Sequence, residues 1–309
     1  MTTRNLPAVW TPKYEVDIGP HVFPTVKYRL VRETLEDEGV LAPEAVHHPE
    51  PADRADLERV HTMEYVDKVE SGSLSPWEQA VLEVPFSEGL REAFLLCCGG
   101  SALAGRLALE TGVAAHLGGG FHHAFPDHGE GFCLLNDVAV GVRALMAEGA
   151  IERAAVVDLD VHQGNGTAVV FQNDPSVFTF SMHQERNYPS PKPPSDLDVG
   201  LEDGMEDEEY LATLQEHLPA VVSEHAPDLV FYLAGADPFH EDQLGGLGLT
   251  LTGLRERDRA VLEACRSRGI PVAVTFAGGY ALRLEDTVEI HANTVREARA
   301  ALERETPAF

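Results

Sequence analysis

The stretch Val156–Gly166, VVDLDVHQGNG, constrains the fold more than any other part of this chain. An apolar run from Ala154 to Val157 leads into it and reads as a buried strand. Asp158, Asp160 and His162 then follow at alternating positions, and in an extended chain residues two apart share a face. Gln163-Gly164-Asn165-Gly166 is a turn-forming cluster that would open the next connection. Carboxylates and an imidazole converging at the carboxyl end of a strand suit a divalent transition metal such as zinc. A solvated strand end with an aspartate capping a helix is the competing reading of these residues alone.

Short apolar strands alternate with helical segments along the chain. Strands are expected at 113–117, 154–157, 177–182, 229–234 and 271–276. Helices are expected at 24–39, 57–69, 99–112, 136–149, 207–225 and 255–268, with another from residue 284 onward. The alternation is that of repeated β-α units in a parallel sheet covered by helices on both faces. No repeat, low-complexity tail or linker interrupts it, so residues 1–309 read as one domain. One long irregular segment, His183–Gly204, is rich in Pro and Asp and exceeds ordinary loop length, which marks it as functional. Ligands of such sheets bind at the carboxyl ends of the strands. The polar clusters fall there: His122–His123, Asp158/Asp160/His162, Ser181–His183, Asp237 and Tyr280.

Charge narrows the partners. Lys and Arg number 23 against 51 Asp and Glu, a formal net charge of −28, which argues against nucleic acid as a direct partner. The acidity is spread along the chain and suits adaptation to salt; steering of lysine-rich segments or polyamines is the sharper alternative. No apolar stretch is expected to approach the roughly 18–20 residues of a membrane span, and MTTRNLPAVWTPKYEVD lacks the apolar core of a signal peptide. Cys97, Cys98, Cys133 and Cys265 form no Cys-x-x-Cys pair, so neither a disulfide framework nor a thiolate zinc site is expected, and a reducing cytoplasm is the natural compartment.

Catalytic zinc commonly takes three protein ligands and leaves one position open. Asp160 and His162 supply two, and Asp237, after Leu-Ala-Gly-Ala, is the best-placed third; its alternative role is a helix N-cap, because Pro238 follows. Asp158 suits orientation of an imidazole better than direct ligation. His122 and His123 follow three glycines, and in a turn both can reach one pocket, one as base and acid, the other charged. Tyr280, after Gly278-Gly279, offers a phenolic donor that could polarise a carbonyl.

Taken in order, His122-His123, Gly131-Phe132-Cys133, Asp158-x-Asp160-x-His162, Gly235-Ala236-Asp237 and Gly278-Gly279-Tyr280 resemble the zinc-dependent histone deacetylase family. Gly118-Gly119-Gly120-Phe121-His122-His123, His162-Gln163-Gly164-Asn165-Gly166, Asp207–Leu211 and Asp242-Gln243-Leu244-Gly245-Gly246-Leu247 make it most similar to the class IV branch and its bacterial relatives. The resemblance implies the arginase/deacetylase fold, α/β around an eight-stranded parallel sheet. It implies zinc held by Asp160, His162 and Asp237, a ligand set that also accepts ferrous iron. His123 would be the general base, His122 its electrostatic partner bound to Asp158, and Tyr280 the oxyanion donor. Gly131, Phe132, Tyr188 and Leu244 would line the channel for an acylated lysine, and potassium would sit near Asp158, Asp160, His162, Ser181 and Met182. Asn165 stands where class I members carry an aspartate, as in classes II and IV, so the imidazole before it loses a carboxylate partner. The implied activity is hydrolysis of an acyl group, acetyl or longer, from lysine ε-amines. An acylated polyamine is the alternative substrate, and a silent acyl-lysine binding module is disfavoured by intact His122, His123 and Tyr280. A binuclear manganese site is disfavoured too, since one Asp-x-Asp-x-His set is present and no further carboxylates cluster to bridge two ions.

Overall fold

The strands at 113–116, 154–158, 229–233 and 272–275 are buried along their whole length, which demands cover on both faces of the sheet. The structure, a computed structural model, describes residues 5–304; residues 1–4 and 305–309, the ends of the expected 1–309 domain and the start of the stretch read for a signal peptide, lie outside the described residues. The strands are β1 (Ala8–Val9), β2 (Val46–His47), β3 (Val113–His116), β4 (Ala154–Asp158), β5 (Val177–Gln184), β6 (Leu197–Leu201), β7 (Leu229–Leu233) and β8 (Val272–Thr275). They form one sheet of eight in the order β2-β1-β3-β8-β7-β4-β5-β6, and every paired neighbour is parallel.

The helices are α1 (Lys27–Asp37), α2 (Arg54–Leu57), α3 (Met63–Ser71), α4 (Pro76–Leu82), α5 (Glu88–Thr111), α6 (Asp137–Ala147), α7 (Asn165–Phe171), α8 (Asp207–Pro219), α9 (Leu251–Arg266) and α10 (Leu284–Glu303). Helix α5 packs on α6 and lies against β3 and β8, while α10 joins α9 and α1 and also reaches β3. This is the α/β architecture expected from the alternation of elements. Chain order reverses in the middle of the sheet. After β3 the chain jumps over two positions to β4, runs outward through β5 and β6, then returns to fill the gap with β7 and β8. Such a reversal opens a crevice at the strand ends, where ligands bind.

Several expectations need correction. The segment 183–204 is not irregular throughout: β5 runs on to Gln184, and Leu197–Leu201 forms an edge strand whose residues alternate in burial. The helix expected over 57–69 is two, α2 and α3, because Thr62 is extended and its Oγ1 accepts from Tyr65 N at 3.3 Å to start a new helix. The helix expected over 99–112 is the second half of α5, which starts where Ser87 Oγ accepts from Leu90 N at 3.1 Å. That helix is long and apolar enough to cross a membrane by composition, contrary to expectation. Most of its apolar stretch is buried inside the fold, as a core helix requires.

Candidate active site and metal centre

Four adjacent strands, β3, β8, β7 and β4, deliver their carboxyl-terminal loops to one place. The loop after β3 carries His122 and His123 in a turn, so both rings reach the same cavity. Gly120, at φ +84°, lets this loop pass the loop after β8; a Cβ there would lie 2.7 Å from Ala277 N. Asp137, in the first turn of α6, accepts from Gly120 N at 3.1 Å and Phe121 N at 2.8 Å, and Ser101 Oγ donates to it at 2.5 Å. The turn is thereby held from behind by a fully buried carboxylate at a helix N-terminus.

Asp160 and His162 from the β4 loop meet Asp237 from the β7 loop, with one potential ligand atom of each within 4.8 Å of the others. His162 Nδ1 lies 3.0 Å from Asp160 Oδ1 and 3.3 Å from Asp237 Oδ2. Asp237 Oδ2 is buried and lacks a well-aligned hydrogen-bond donor, although Asp237 Oδ1 accepts from Val161 N at 2.9 Å. Asp160 Oδ2 accepts from Gly278 N at 2.7 Å. A Cβ at Gly278 would collide with Asp237 Oδ2 and lie 2.6 Å from Asp160 Oδ2, so glycine keeps the carboxylates accessible. No helix begins at Pro238, which removes the capping alternative for Asp237. Burial raises the Asp237 carboxyl to about 7, with the Asp160 charge adding to it. For His162 burial favours the neutral ring, yet Asp160 and Asp237 hold it up at about 10. Two carboxylates and one imidazole, with one carboxylate oxygen lacking a hydrogen-bond partner, fit a divalent ion such as zinc.

Beside this cluster the two histidines divide their roles. His122 Nδ1 lies 2.6 Å from Asp158 Oδ2, and burial is outweighed by Asp158 and Asp160, which raise this ring to about 9. Burial and the charges on His122 and His162 push His123 well below its ordinary value. At neutral pH His122 is therefore cationic and His123 neutral. His123 Nδ1 contacts Asn165 Oδ1 at 2.7 Å. Sequence reasoning read Asn165 as leaving this ring without a carboxylate. The structure supplies one at second hand: Asn165 Nδ2 donates to Glu130 Oε1 at 2.6 Å. Tyr280 lines the same cavity, and burial, with Asp160 and Asp237 nearby, keeps its phenol protonated.

The cavity is narrow, with about 20 Å³ of free space between Phe23, Phe132, His123, Tyr280 and Asp160. Phe132 stands at φ +69°, a left-handed conformation that costs a non-glycine residue about 1–3 kcal/mol. It is held there by Gly131 N and Phe132 N donating to Val81 O and Leu82 O at the end of α4, and by stacking on Phe23. Gly131 is required, since a Cβ would sit 2.8 Å from the His123 ring. Tyr188 lies edge-on to His123 at 4.9 Å. Leu244 is not among the cavity's lining residues; its carbonyl accepts from Asn187 Nδ2 at 2.8 Å, at the edge of the loop that carries Tyr188. Ser181 neighbours Asp158 in the β4–β5 register, and Met182 is buried beside it.

Two buried cations escaped sequence reasoning because only long-range contacts reveal them. Lys27, fully buried, donates to Ala277 O at 2.9 Å beneath the Tyr280 loop. Arg257, also fully buried, donates to Gly235 O at 2.6 Å, behind Asp237.

The chain matches the histone deacetylase domain family over residues 21–295. An uncharacterized protein of Picosynechococcus sp. is 47% identical over 294 residues, covering 95% of this chain and 98% of the relative. Histone deacetylase 2 of Arabidopsis thaliana is 32% identical over 269 residues, covering 84% of this chain and 70% of its own length. A probable deacetylase of Archaeoglobus fulgidus is 32% identical over 268 residues, covering 80% and 73%. The crystal structure of the HDA15 HD domain has the same fold, with a TM-score of 0.77 at 24% identity over 96% of this chain and 89% of that one. With the domain matched along most of its length and the fold shared, this chain belongs to the histone deacetylase family of hydrolases.

Proposed function

We propose that this protein is a zinc-dependent amidohydrolase that removes a short acyl group from the ε-amine of lysine. The observation that carries the reading is the convergence of Asp160, the neutral His123, the cationic His122 and Tyr280 on one narrow cavity. Asp160, His162 and Asp237 would hold the metal, whose contribution is to acidify water and polarise the acyl carbonyl. His123 Nε2 takes a proton from the attacking water and returns it to the departing amine nitrogen. His122, anchored by Asp158, keeps positive charge beside the reaction. The Tyr280 hydroxyl donates to the oxyanion as it develops. Phe132 and Tyr188 flank the lysine stem, and Phe23 stacks behind Phe132.

The free space in the cavity is about 20 Å³, far below the about 300–1,000 Å³ usual for ligand pockets, which favours acetyl over long fatty acyl groups. A potassium ion beside Asp158 and Ser181, ferrous iron as an alternative metal, kinship with class IV and a cytoplasmic location belong to the same reading. The acidic charge of −28 favours cationic substrates and keeps acylated polyamines as a second reading. The test is turnover of matched peptides carrying acetyl, octanoyl and myristoyl lysine, alongside acetylated spermidine. Acetyl-lysine is expected to be fastest; faster myristoyl turnover would refute the short-acyl reading, and turnover of acetylspermidine alone would replace lysine with polyamine.

A further inference from the structure

We propose that Glu130 is a positioning residue for the base: by holding the Asn165 side-chain amide in one orientation, it fixes His123 as the tautomer with its proton on Nδ1. The inference rests on the reading of His123 as the general base and explains how an asparagine can serve there.

The two ends of an asparagine amide have nearly the same shape, so hydrogen-bond partners decide which end faces which neighbour. Glu130 decides it here. Its Oε1 lies 2.6 Å from Asn165 Nδ2 and also accepts from the Tyr188 hydroxyl at 2.5 Å, while Oε2 faces His128 Nε2 at 3.4 Å. Burial works against the Glu130 charge, but hydrogen bonds from His128, Tyr188 and Asn165 keep it ionised. An ionised carboxylate only accepts, so the amide must present Nδ2 to it. Oδ1 is then left 2.7 Å from His123 Nδ1 and also only accepts, so Nδ1 must carry the ring proton. The lone pair of the neutral ring therefore sits on Nε2, 3.1 Å from His122 Nε2. His122 Nδ1 faces Asp158 Oδ2 at 2.6 Å, which holds that ring in place beside the base. Each assignment forces the next. Reversing the amide would aim an oxygen at the Glu130 carboxylate and put the His123 proton on Nε2, leaving that nitrogen no lone pair with which to act as base.

Glu130 belongs to the channel rim as well, since the same oxygen holds Tyr188, whose ring edge lies against His123. The wall that meets the substrate and the tautomer of the base thus share one carboxylate.

The test is nitrogen-15 NMR of histidine-labelled, zinc-loaded protein, read together with acetyl-lysine peptide kinetics. In the wild type, His123 is expected to show a protonated Nδ1 and a bare Nε2. Glu130→Ala should move both signals toward a tautomeric average and lower kcat about tenfold, with KM within about twofold. Glu130→Gln keeps an acceptor at Oε1 and should restore both readouts. In an Asn165→Asp background His123 has its own carboxylate, so adding Glu130→Ala should cost less than about twofold, whereas a merely structural role would cost the same in both backgrounds. A bare Nδ1 in the wild type, or signals unchanged by Glu130→Ala, would overturn the proposal even if the enzyme turns over acetyl-lysine. A shifted tautomer in a protein inactive on acetyl-lysine would uphold it while overturning the substrate reading.

Discussion

Replacing Arg257 with Met tests how the ligand loops are held. The guanidinium is fully buried and donates through Nη1 to Gly235 O at 2.6 Å and Leu159 O at 3.3 Å. Those carbonyls precede Asp237 and Asp160, so one side chain ties together the ends of β4 and β7 beneath the Asp160/His162/Asp237 cluster. Its Nε and Nη2 donate to Asp258 Oδ1 at 2.9 and 2.8 Å, and Asp258 also accepts from Tyr232 and Thr294 hydroxyls at 2.5 and 2.6 Å. Methionine fills much of the volume but leaves the Asp258 charge buried without its partner. Removing one member of a buried pair costs about 3–5 kcal/mol, roughly a hundredfold or more in the ratio of folded to unfolded protein. Urea unfolding followed by circular dichroism would read the loss as a lower midpoint at unchanged slope. Adding Asp258→Asn removes the stranded charge and should recover more than half of it. A loss below about 1 kcal/mol for Arg257→Met, or no recovery in the double variant, would refute the assignment of this pair as the clamp under the site.

Tyr280→Phe should lower kcat by about 10²–10³ while zinc content stays unchanged, because the phenol acts on the oxyanion and not on the ligands. Full turnover by this variant would remove Tyr280 from the mechanism. Acid stability should report His61, which burial pushes down to about 4 from an ordinary 6.5. Its neutral ring accepts from Asn136 N through Nε2 at 3.1 Å. Between those pH values the unfolded chain binds the extra proton, so stability falls as pH falls from about 6.5 and levels off below about 4. At about 1.4 kcal/mol per pH unit the contribution is about 3 kcal/mol. Urea midpoints of wild type and His61→Gln at pH 7 and pH 4.5 check it; equal slopes with pH in the two proteins would contradict it.

The strands that carry the site were legible in the sequence because they are fully buried and therefore apolar throughout, as at β4 and β7. Strands β1 and β2 left no trace, since two residues of pairing show no periodicity. Edge strand β6 was hidden because only one of its faces is covered, so Asp198 and Gly200 interrupt the apolar pattern. Helix α5 was seen only in its second half. Its first half, EGLREAFLLCCGG, mixes charges with a Cys-Cys-Gly-Gly run, and close packing on α6, not local preference, keeps it helical. In the site, the residues named from sequence lie at strand ends with local punctuation by glycine. Lys27 and Arg257 carry no such marks, and Glu130, although flanked by Gly129 and Gly131, does not lie at the end of a strand. Glu130 lies 35 residues from Asn165 in sequence, and Lys27 lies 250 from Ala277. Arg257 sits in a helix rich in charged residues, of which only it and Asp258 are buried, so its burial has no signature in composition.

The most direct test of the central claim is acetyl-lysine peptide hydrolysis by protein stripped with a chelator and then titrated with zinc, with Asp237→Ala treated in parallel. The account predicts that activity vanishes with the metal and returns at one equivalent of zinc, and that Asp237→Ala fails to retain zinc and stays inactive. Undiminished hydrolysis by the stripped protein, or a zinc-replete and fully active Asp237→Ala variant, would contradict it.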